Sequence, residues 1–210
     1  MNRGVIVSFE GTEGSGKTTQ AELLFQDLQN LGLPSILFRE PGGTNLGERI
    51  REILLDPSEK IASWSELLLY LAARAELVVE EIIPALKDLK VVILDRYIDS
   101  TFAYQVFGRG LPYRPVSIFN RIASRAIRPD LTILVDIDPK VGFQRIGYSK
   151  DRIEAEDNEY HNRVREGYLK LARRAKKRIK LLDGSLAKDV LHKKIREIVF
   201  PFLKRKGYKL

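Results

Sequence analysis

Gly11, Thr12, Glu13, Gly14, Ser15, Gly16, Lys17 and Thr18 satisfy the pattern G-x-x-x-x-G-K-[ST] at every fixed position, and Thr19 follows at once. The apolar run Val5-Ile6-Val7-Ser8-Phe9 precedes the motif, and a helical pattern with Ala21, Leu23, Leu24 and Leu28 follows it. A strand, a glycine turn and a helix in that order separate a phosphate-binding loop from a glycine-rich turn with a chance lysine. Such a loop turns its backbone N–H groups inward around a polyphosphate, and the helix N-terminus adds a favourable dipole. Lys17 is expected to reach the β- and γ-phosphates of a nucleoside triphosphate, and the Thr18 hydroxyl to hold Mg²⁺.

The rest of the chain fits that start. Apolar runs at residues 4–9, 35–38, 91–94, 131–135 and 179–182 end against Glu10, Arg39, Asp95, Asp136 and Asp183. Helical patterns separate them, at 45–56, 64–83 (stopped near Pro84), 98–107, 115–126, 154–175 and 188–205. Short buried strands alternating with helices predict an α/β fold, a five-stranded parallel sheet with helices on both faces. No repeat or linker divides the chain, so one domain is expected over 1–210. Ligands in such sheets bind beyond the carboxyl ends of the strands, where the polar residues just named stand.

Composition excludes several classes. No apolar stretch approaches the roughly 18 residues of a membrane span. The N-terminus runs directly into the first strand, so no leader is expected, and the expectation is a cytoplasmic protein. Zero cysteines exclude disulfides and thiolate metal sites, in keeping with that compartment. His161 and His192 read as packing or surface residues. Methionine occurs only at position 1, while Lys, Arg and Glu abound, which suggests a thermophilic source. Net charge is +8 but uneven: residues 161–210 carry 17 basic against 4 acidic side chains. The cluster around Arg173, Arg174, Lys176, Lys177 and Arg178 could bind nucleic acid, but it lacks interleaved aromatics and reads as a solvated helix.

A phosphate loop alone leaves GTPases, transporter ATPases and small kinases open. No N-K-x-D or LSGGQ motif occurs. Instead, Arg39 and Glu40 follow the second strand, Asp95 and Arg96 follow the third, and Arg51, Tyr70 and Arg74 lie on helical segments. Asp95 is placed as a carboxylate near Mg²⁺, acting through water, and Arg96 suits a bidentate grip on a second phosphate. An acceptor that is itself phosphorylated points to a nucleoside monophosphate kinase. Residues 145–152 read as a basic flap over the loop, with Arg145, Lys150 and Arg152 as its cations.

The segments at 9–19, 39–44, 70–74, 95–105 and 151–154 together resemble the thymidylate kinases, over essentially the whole length. That resemblance implies transfer of the ATP γ-phosphate to dTMP, in dTTP synthesis, by a Mg²⁺-dependent homodimer with no nucleic-acid or membrane partner. It implies that Arg74 meets the thymine O4 edge, that Tyr70 stacks on the base, and that Thr101 and Gln105 lie near N3. Tyr104 would pack against the deoxyribose and exclude a 2′-hydroxyl, and Glu13 would lie near the 3′-hydroxyl. Arg51 and Arg96 would hold the 5′-phosphate, with Glu40 ordering that site. Some family members carry a catalytic arginine where this chain has Gly14, so the charge is expected from the flap. Helices at 45–56, 64–83 and 98–107 are the expected dimer contact. Small kinases acting on UMP, CMP or a non-nucleotide, and a nucleic-acid-stimulated ATPase, are the rival readings.

Overall fold

The structure, a computed structural model, describes residues 3–147 and 151–209. Strands β1 (Val5–Glu10), β2 (Ser35–Arg39), β3 (Val91–Asp95), β4 (Leu131–Asp136) and β5 (Ile179–Asp183) pair in parallel, in the order β2-β3-β1-β4-β5. The expected five-stranded sheet is present, each strand within a residue of its predicted limits. β1 and β3 are buried along their entire length, as central strands covered on both faces must be. That explains why both read as unbroken apolar runs rather than alternating ones.

Successive side chains of β1 point to opposite faces and seed two cores. Val5, Val7 and Phe9 join Leu24, Leu28, Ile195 and Val199 from α1 (Lys17–Asn30) and α9 (Lys188–Arg205). Ile6 joins Leu77, Val78, Ile82 and Tyr97 on the other face. Fully burying each such aliphatic side chain contributes about 1.5–3 kcal/mol. Because β1 is clamped from both sides, the loop that follows it starts from a fixed point.

Two helical expectations change. The helix expected to stop near Pro84 runs on. α3 (Ser63–Leu77) passes through a π-helical segment, Val78–Ile82, into α4 (Ile83–Lys87), with Pro84 in the first turn of α4. Proline has no N–H, and its ring would press on the carbonyl four residues back in a regular helix; a wider turn just ahead of it removes that conflict. The segment expected as a helix at 98–107 is a short α5 (Ile98–Thr101) followed by a second π-helical segment, Phe102–Gly108. Its wide turn carries Tyr104 and Gln105, both buried.

Three other boundaries shift. α2 (Asn45–Leu55) is close to expectation, capped by the Thr44 side chain accepting from Gly47 N–H. α6 spans Tyr113–Ala123, ending where Arg125 and Ala126 adopt positive φ. The helix expected from 154 is α8 (Asn158–Arg174), which starts only where the Asp157 side chain can accept from the Tyr160 N–H. Arg145 belongs to α7 (Pro139–Ile146), so the segment between helices begins at Gly147. The basic cluster divides: Arg173 and Arg174 close α8, while Arg178 pairs with buried Asp99 at 2.6 Å.

Candidate active site

The phosphate loop leaves β1 at Glu10 and enters α1 at Lys17. Around it opens a cavity of about 310 Å³ at the carboxyl ends of β1, β2 and β3. Its lining brings together Glu13, Lys17, Thr18, Glu40, Arg51, Tyr70, Arg74, Asp95, Arg96, Thr101, Tyr104 and Gln105. One wall thus carries the phosphate loop, and the other carries residues from β2, α3 and the segment after β3.

On the loop side, Lys17 is buried and donates to Thr12 O at 3.2 Å. Burial and neighbouring Arg96 push its ammonium down to about 8, against the opposing pull of Asp95, Glu13 and Glu10. The Thr18 hydroxyl donates to Asp95 Oδ2 at 2.6 Å, while buried Asp95 Oδ1 has no hydrogen-bond partner. A hydroxyl and a carboxylate side by side, one oxygen unsatisfied, suit a hard divalent cation and its water shell. Among the described residues no group of three or more His, Asp or Glu side chains forms an all-protein metal cage. A nucleotide-borne Mg²⁺ needs none.

Arg96 joins the two walls. Its backbone is left-handed, φ 68°, a conformation that a non-glycine residue rarely holds without surrounding support. Nη2 donates to Glu13 Oε1 at 2.8 Å, and Nη1 donates to Gly11 O at 3.0 Å and Tyr168 Oη at 3.2 Å. Tyr104 also donates to Glu13 Oε1, at 2.5 Å, beneath the Arg96 guanidinium. Burial alone would raise the Glu13 carboxyl; Arg96 and Lys17 outweigh it and hold the group below its ordinary range.

Arg74 is nearly saturated. Nε and Nη2 donate to Glu40 Oε2 at 2.9 and 2.5 Å, and Nη1 donates to Thr101 Oγ1 and Asn120 Oδ1, both at 2.6 Å. A guanidinium has five N–H groups, so one on Nη2 remains for a ligand. Gln105 donates through Nε2 to Glu66 Oε1 at 2.8 Å. Arg51, half-buried, donates to Pro41 O at 3.0 Å.

The proposed flap cations separate. Arg145 is exposed, and its Nη1 donates to Gly184 O at 2.8 Å and Gly14 O at 3.4 Å, beside the phosphate loop. Arg152 is buried, with Nη1 2.6 Å from Glu66 Oε2 and Nε donating to Leu54 O at 2.8 Å. It does not line the cavity; Asp151, Ile153 and Glu154 around it do. Lys150 lies outside the described residues. Gly14, at φ 67°, has a packing reason for carrying no side chain: a Cβ there would stand 2.0 Å from Gly142 O of α7. A Cβ on Gly142 would stand 2.2 Å from Glu13 O. Two glycines thus let α7 touch the loop backbone to backbone.

Sequence reasoning missed several supports. Glu10 is fully buried and accepts from Tyr97 N–H at 2.9 Å, Ser100 Oγ at 2.6 Å and Tyr168 Oη at 3.1 Å. Burial, then the charge of Asp99, pushes its carboxyl up to about 8. A carboxylate ending the first strand was visible; its partners on α5 and α8 were not. Glu66, Asn120 and Arg109 were missed because their partners come from other helices. His161 and His192 do pack as expected: His161 lies edge-on to Phe143 and Tyr160, and His192 bonds Gln20 and Asp27.

Comparison with known proteins agrees with this geometry. The family model for thymidylate kinase matches residues 9–195. This chain belongs to the thymidylate kinase family. The thymidylate kinase of Caldanaerobacter subterraneus subsp. tengcongensis is 45% identical over 203 residues, covering 96% of this chain and 98% of the relative. That of Carboxydothermus hydrogenoformans is 48% identical over 184 residues, covering 87% and 90%. The crystal structure of thymidylate kinase from Ehrlichia chaffeensis superposes with a TM-score of 0.77 at 32% identity, covering 93% of this chain and 98% of that one. With family membership comes an ATP-dependent kinase activity, the phosphorylation of dTMP to dTDP. No helix among the described residues is long and apolar enough to cross a membrane.

Proposed function

We propose that the cavity carries out ATP + dTMP → ADP + dTDP with Mg²⁺, through the residues that line it, as one kinase domain over 1–210. The observation that carries this reading is continuity: a single cavity runs from Lys17 and Thr18 to Arg74 and Gln105. Donor phosphates would lie in the loop at 11–19. The acceptor base would lie against Tyr70, Arg74, Thr101 and Gln105, its sugar against Tyr104 and Glu13, and its phosphate between Arg51 and Arg96, with Glu40 holding Arg74.

The acceptor phosphate has a second pKa of about 6 and needs no general base at neutral pH. The protein's task reduces to in-line placement and to opposing charge in a loose transition state. Lys17 would lie along the donor phosphates and Arg96 would fix the acceptor oxygen. Of the flap residues, exposed Arg145 beside Gly14 is better placed for the donor phosphoryl than buried Arg152. Thr18 and Asp95 would hold Mg²⁺, Asp95 through water; the ion, when bound, offsets charge on the β- and γ-oxygens.

The remaining features extend the same reading. An exposed apolar face on α3 and α6, including Leu68, Ile118 and Ile122, supports a homodimer. The segment at 98–107 exposes no large apolar side chain and adds nothing to that support. Absence of cysteine supports a cytoplasmic protein supplying dTTP synthesis. Scarce methionine and abundant charge support a heat-adapted one. Nothing in the cavity favours nucleic acid. The deciding assay is ADP release across a panel of nucleoside monophosphates, with and without Mg²⁺. Preference for dTMP and dependence on Mg²⁺ are expected; preference for UMP, or equal ATP hydrolysis without acceptor, overturns the assignment.

A further inference from the structure

Glu66 is fully buried in the first turn of α3, although it carries a carboxylate. Arg109 grips it with two bonds, Nε to Oε1 at 3.0 Å and Nη2 to Oε2 at 2.9 Å. Arg152 Nη1 approaches Oε2 at 2.6 Å. Two guanidiniums therefore fix the plane of the carboxylate from two sides. The remaining acceptor position on Oε1 is taken by Gln105 Nε2, at 2.8 Å.

The last bond has a chemical consequence. A carboxylate in that setting only accepts hydrogen bonds, so the amide of Gln105 must turn its NH₂ toward Glu66. Its carbonyl oxygen, Oε1, is left for the cavity and has no protein partner among the described residues. The side chain of Gln105 thus offers an acceptor and not a donor, although a glutamine by itself could offer either. Thymine and uracil carry a donor at N3. Cytosine carries a lone pair there, which would face the lone pairs of the amide oxygen.

We infer that Glu66 is a specificity-determining positioning residue: by fixing the amide of Gln105, it selects pyrimidines that carry a proton on N3. The inference rests on the reading that the base lies against Gln105, and it adds a residue that touches no substrate. It also gives buried Arg152 and Arg109 a task, that of holding the selecting carboxylate in place. Arg74, with its one remaining N–H directed at a carbonyl oxygen, selects at the neighbouring edge of the base. The two devices are separate, because Arg74 is held by Glu40 and Gln105 by Glu66.

The test compares kcat/KM for dTMP and for 5-methyl-dCMP, which keeps the methyl group and changes only the donor–acceptor pattern. In Glu66→Gln the partner of Gln105 can either donate or accept, so the amide can turn over. The ratio of the two kcat/KM values should fall at least about tenfold. Glu66→Asp keeps an acceptor-only group and should hold the ratio within about threefold while raising KM. Gln105→Met should lower the ratio as Glu66→Gln does. A lowered ratio in Gln105→Met with an unchanged ratio in Glu66→Gln overturns the role of Glu66 alone. An unchanged ratio in Gln105→Met overturns the placement of the base and the inference with it. Should Glu66→Gln fail to fold, the side-chain amide of Gln105 in ¹⁵N-labelled wild-type protein decides. Its protons should stay protected from exchange with and without dTMP; loss of protection on adding dTMP overturns the inference.

Discussion

Arg96 donates to Glu13 Oε1 at 2.8 Å, tying the residue after β3 to the phosphate loop after β1. The arginine proposed for the acceptor phosphate is thereby held by a carboxylate of the donor loop. Truncation removes both the grip and the tie. Arg96→Ala should lower kcat/KM for dTMP by at least about 100-fold, the scale of losing one preorganised electrostatic contact. Arg96→Lys should recover only part of this, since a point charge cannot reproduce a planar fork. A coupled assay of ADP release measures both; near-normal turnover in folded Arg96→Ala sinks the assignment.

Lys17 titrates within reach of an ordinary pH series. Burial, with Arg96 nearby, brings its ammonium down to about 8, so its charge is lost as pH rises through that value. kcat/KM for ATP reports the free enzyme and should decline above about pH 8. Lys17→Arg, whose charge does not titrate in this range, should flatten the decline at a lower overall rate. A wild-type profile level to pH 9.5 would show that the lysine keeps its proton.

Glu10 predicts a dependence of the same sign, read in stability. Its folded carboxyl is raised to about 8 by burial and by Asp99, while its ordinary value is 4.5. Unfolded chains can release this proton between those values and folded ones cannot. The group's contribution is therefore full below pH 4.5 and lost as pH rises through 8. Glu10→Gln, a neutral isostere, lacks that loss. Its Tm relative to wild type should rise by at least about 2 °C between pH 5 and pH 8, in scanning calorimetry. A constant difference across the series refutes the buried proton.

Arg145 and Arg152 should fail in different ways. Removing Arg152 leaves buried Glu66 with Arg109 as its one remaining guanidinium partner, at a cost at the lower end of the about 3–5 kcal/mol of breaking a buried pair. Arg152→Ala should therefore lower Tm by about 6 °C or more. Arg145→Ala removes an exposed side chain, should shift Tm by less than about 2 °C, and should lower kcat at least tenfold. Thermal melts alongside single-turnover rates separate the two; a stable, slow Arg152→Ala would return that residue to the reacting phosphates.

Sedimentation measures the last expectation. The chain should behave as a particle of twice 24.0 kDa. Leu68→Asp with Ile122→Asp, which places charge on the exposed face of α3 and α6, should yield monomers. Monomeric wild-type protein would leave that apolar face without its proposed occupant.

Much of this architecture was legible locally. Strands β1 and β3 announced themselves as unbroken apolar runs because both faces of each are covered, and the phosphate loop because its chemistry fixes residue types at fixed spacing. Pro84 misled, since the remedy for a proline inside a helix is a change of helical pitch before it, which leaves no mark in apolar periodicity. Arg152 read as a free cation because the carboxylate that neutralises it, Glu66, stands on α3, far away in sequence. The same distance hid the partners of Glu10. Contacts across sequence separation decide which charged residues stand in a cleft and which hold it up.

Gly14 and Gly142 bear on how such enzymes can change over generations. An arginine in the phosphate loop of this chain would meet the carbonyl of Gly142 before it could reach any phosphate. α7 would first have to withdraw, carrying with it Arg145, the proposed source of charge, before the new one could act. The two arrangements of charge are therefore not one nucleotide substitution apart. An intermediate with both is excluded by backbone contact, and an intermediate with neither would be a poor catalyst. A lineage that has settled on one arrangement is held there by two missing side chains.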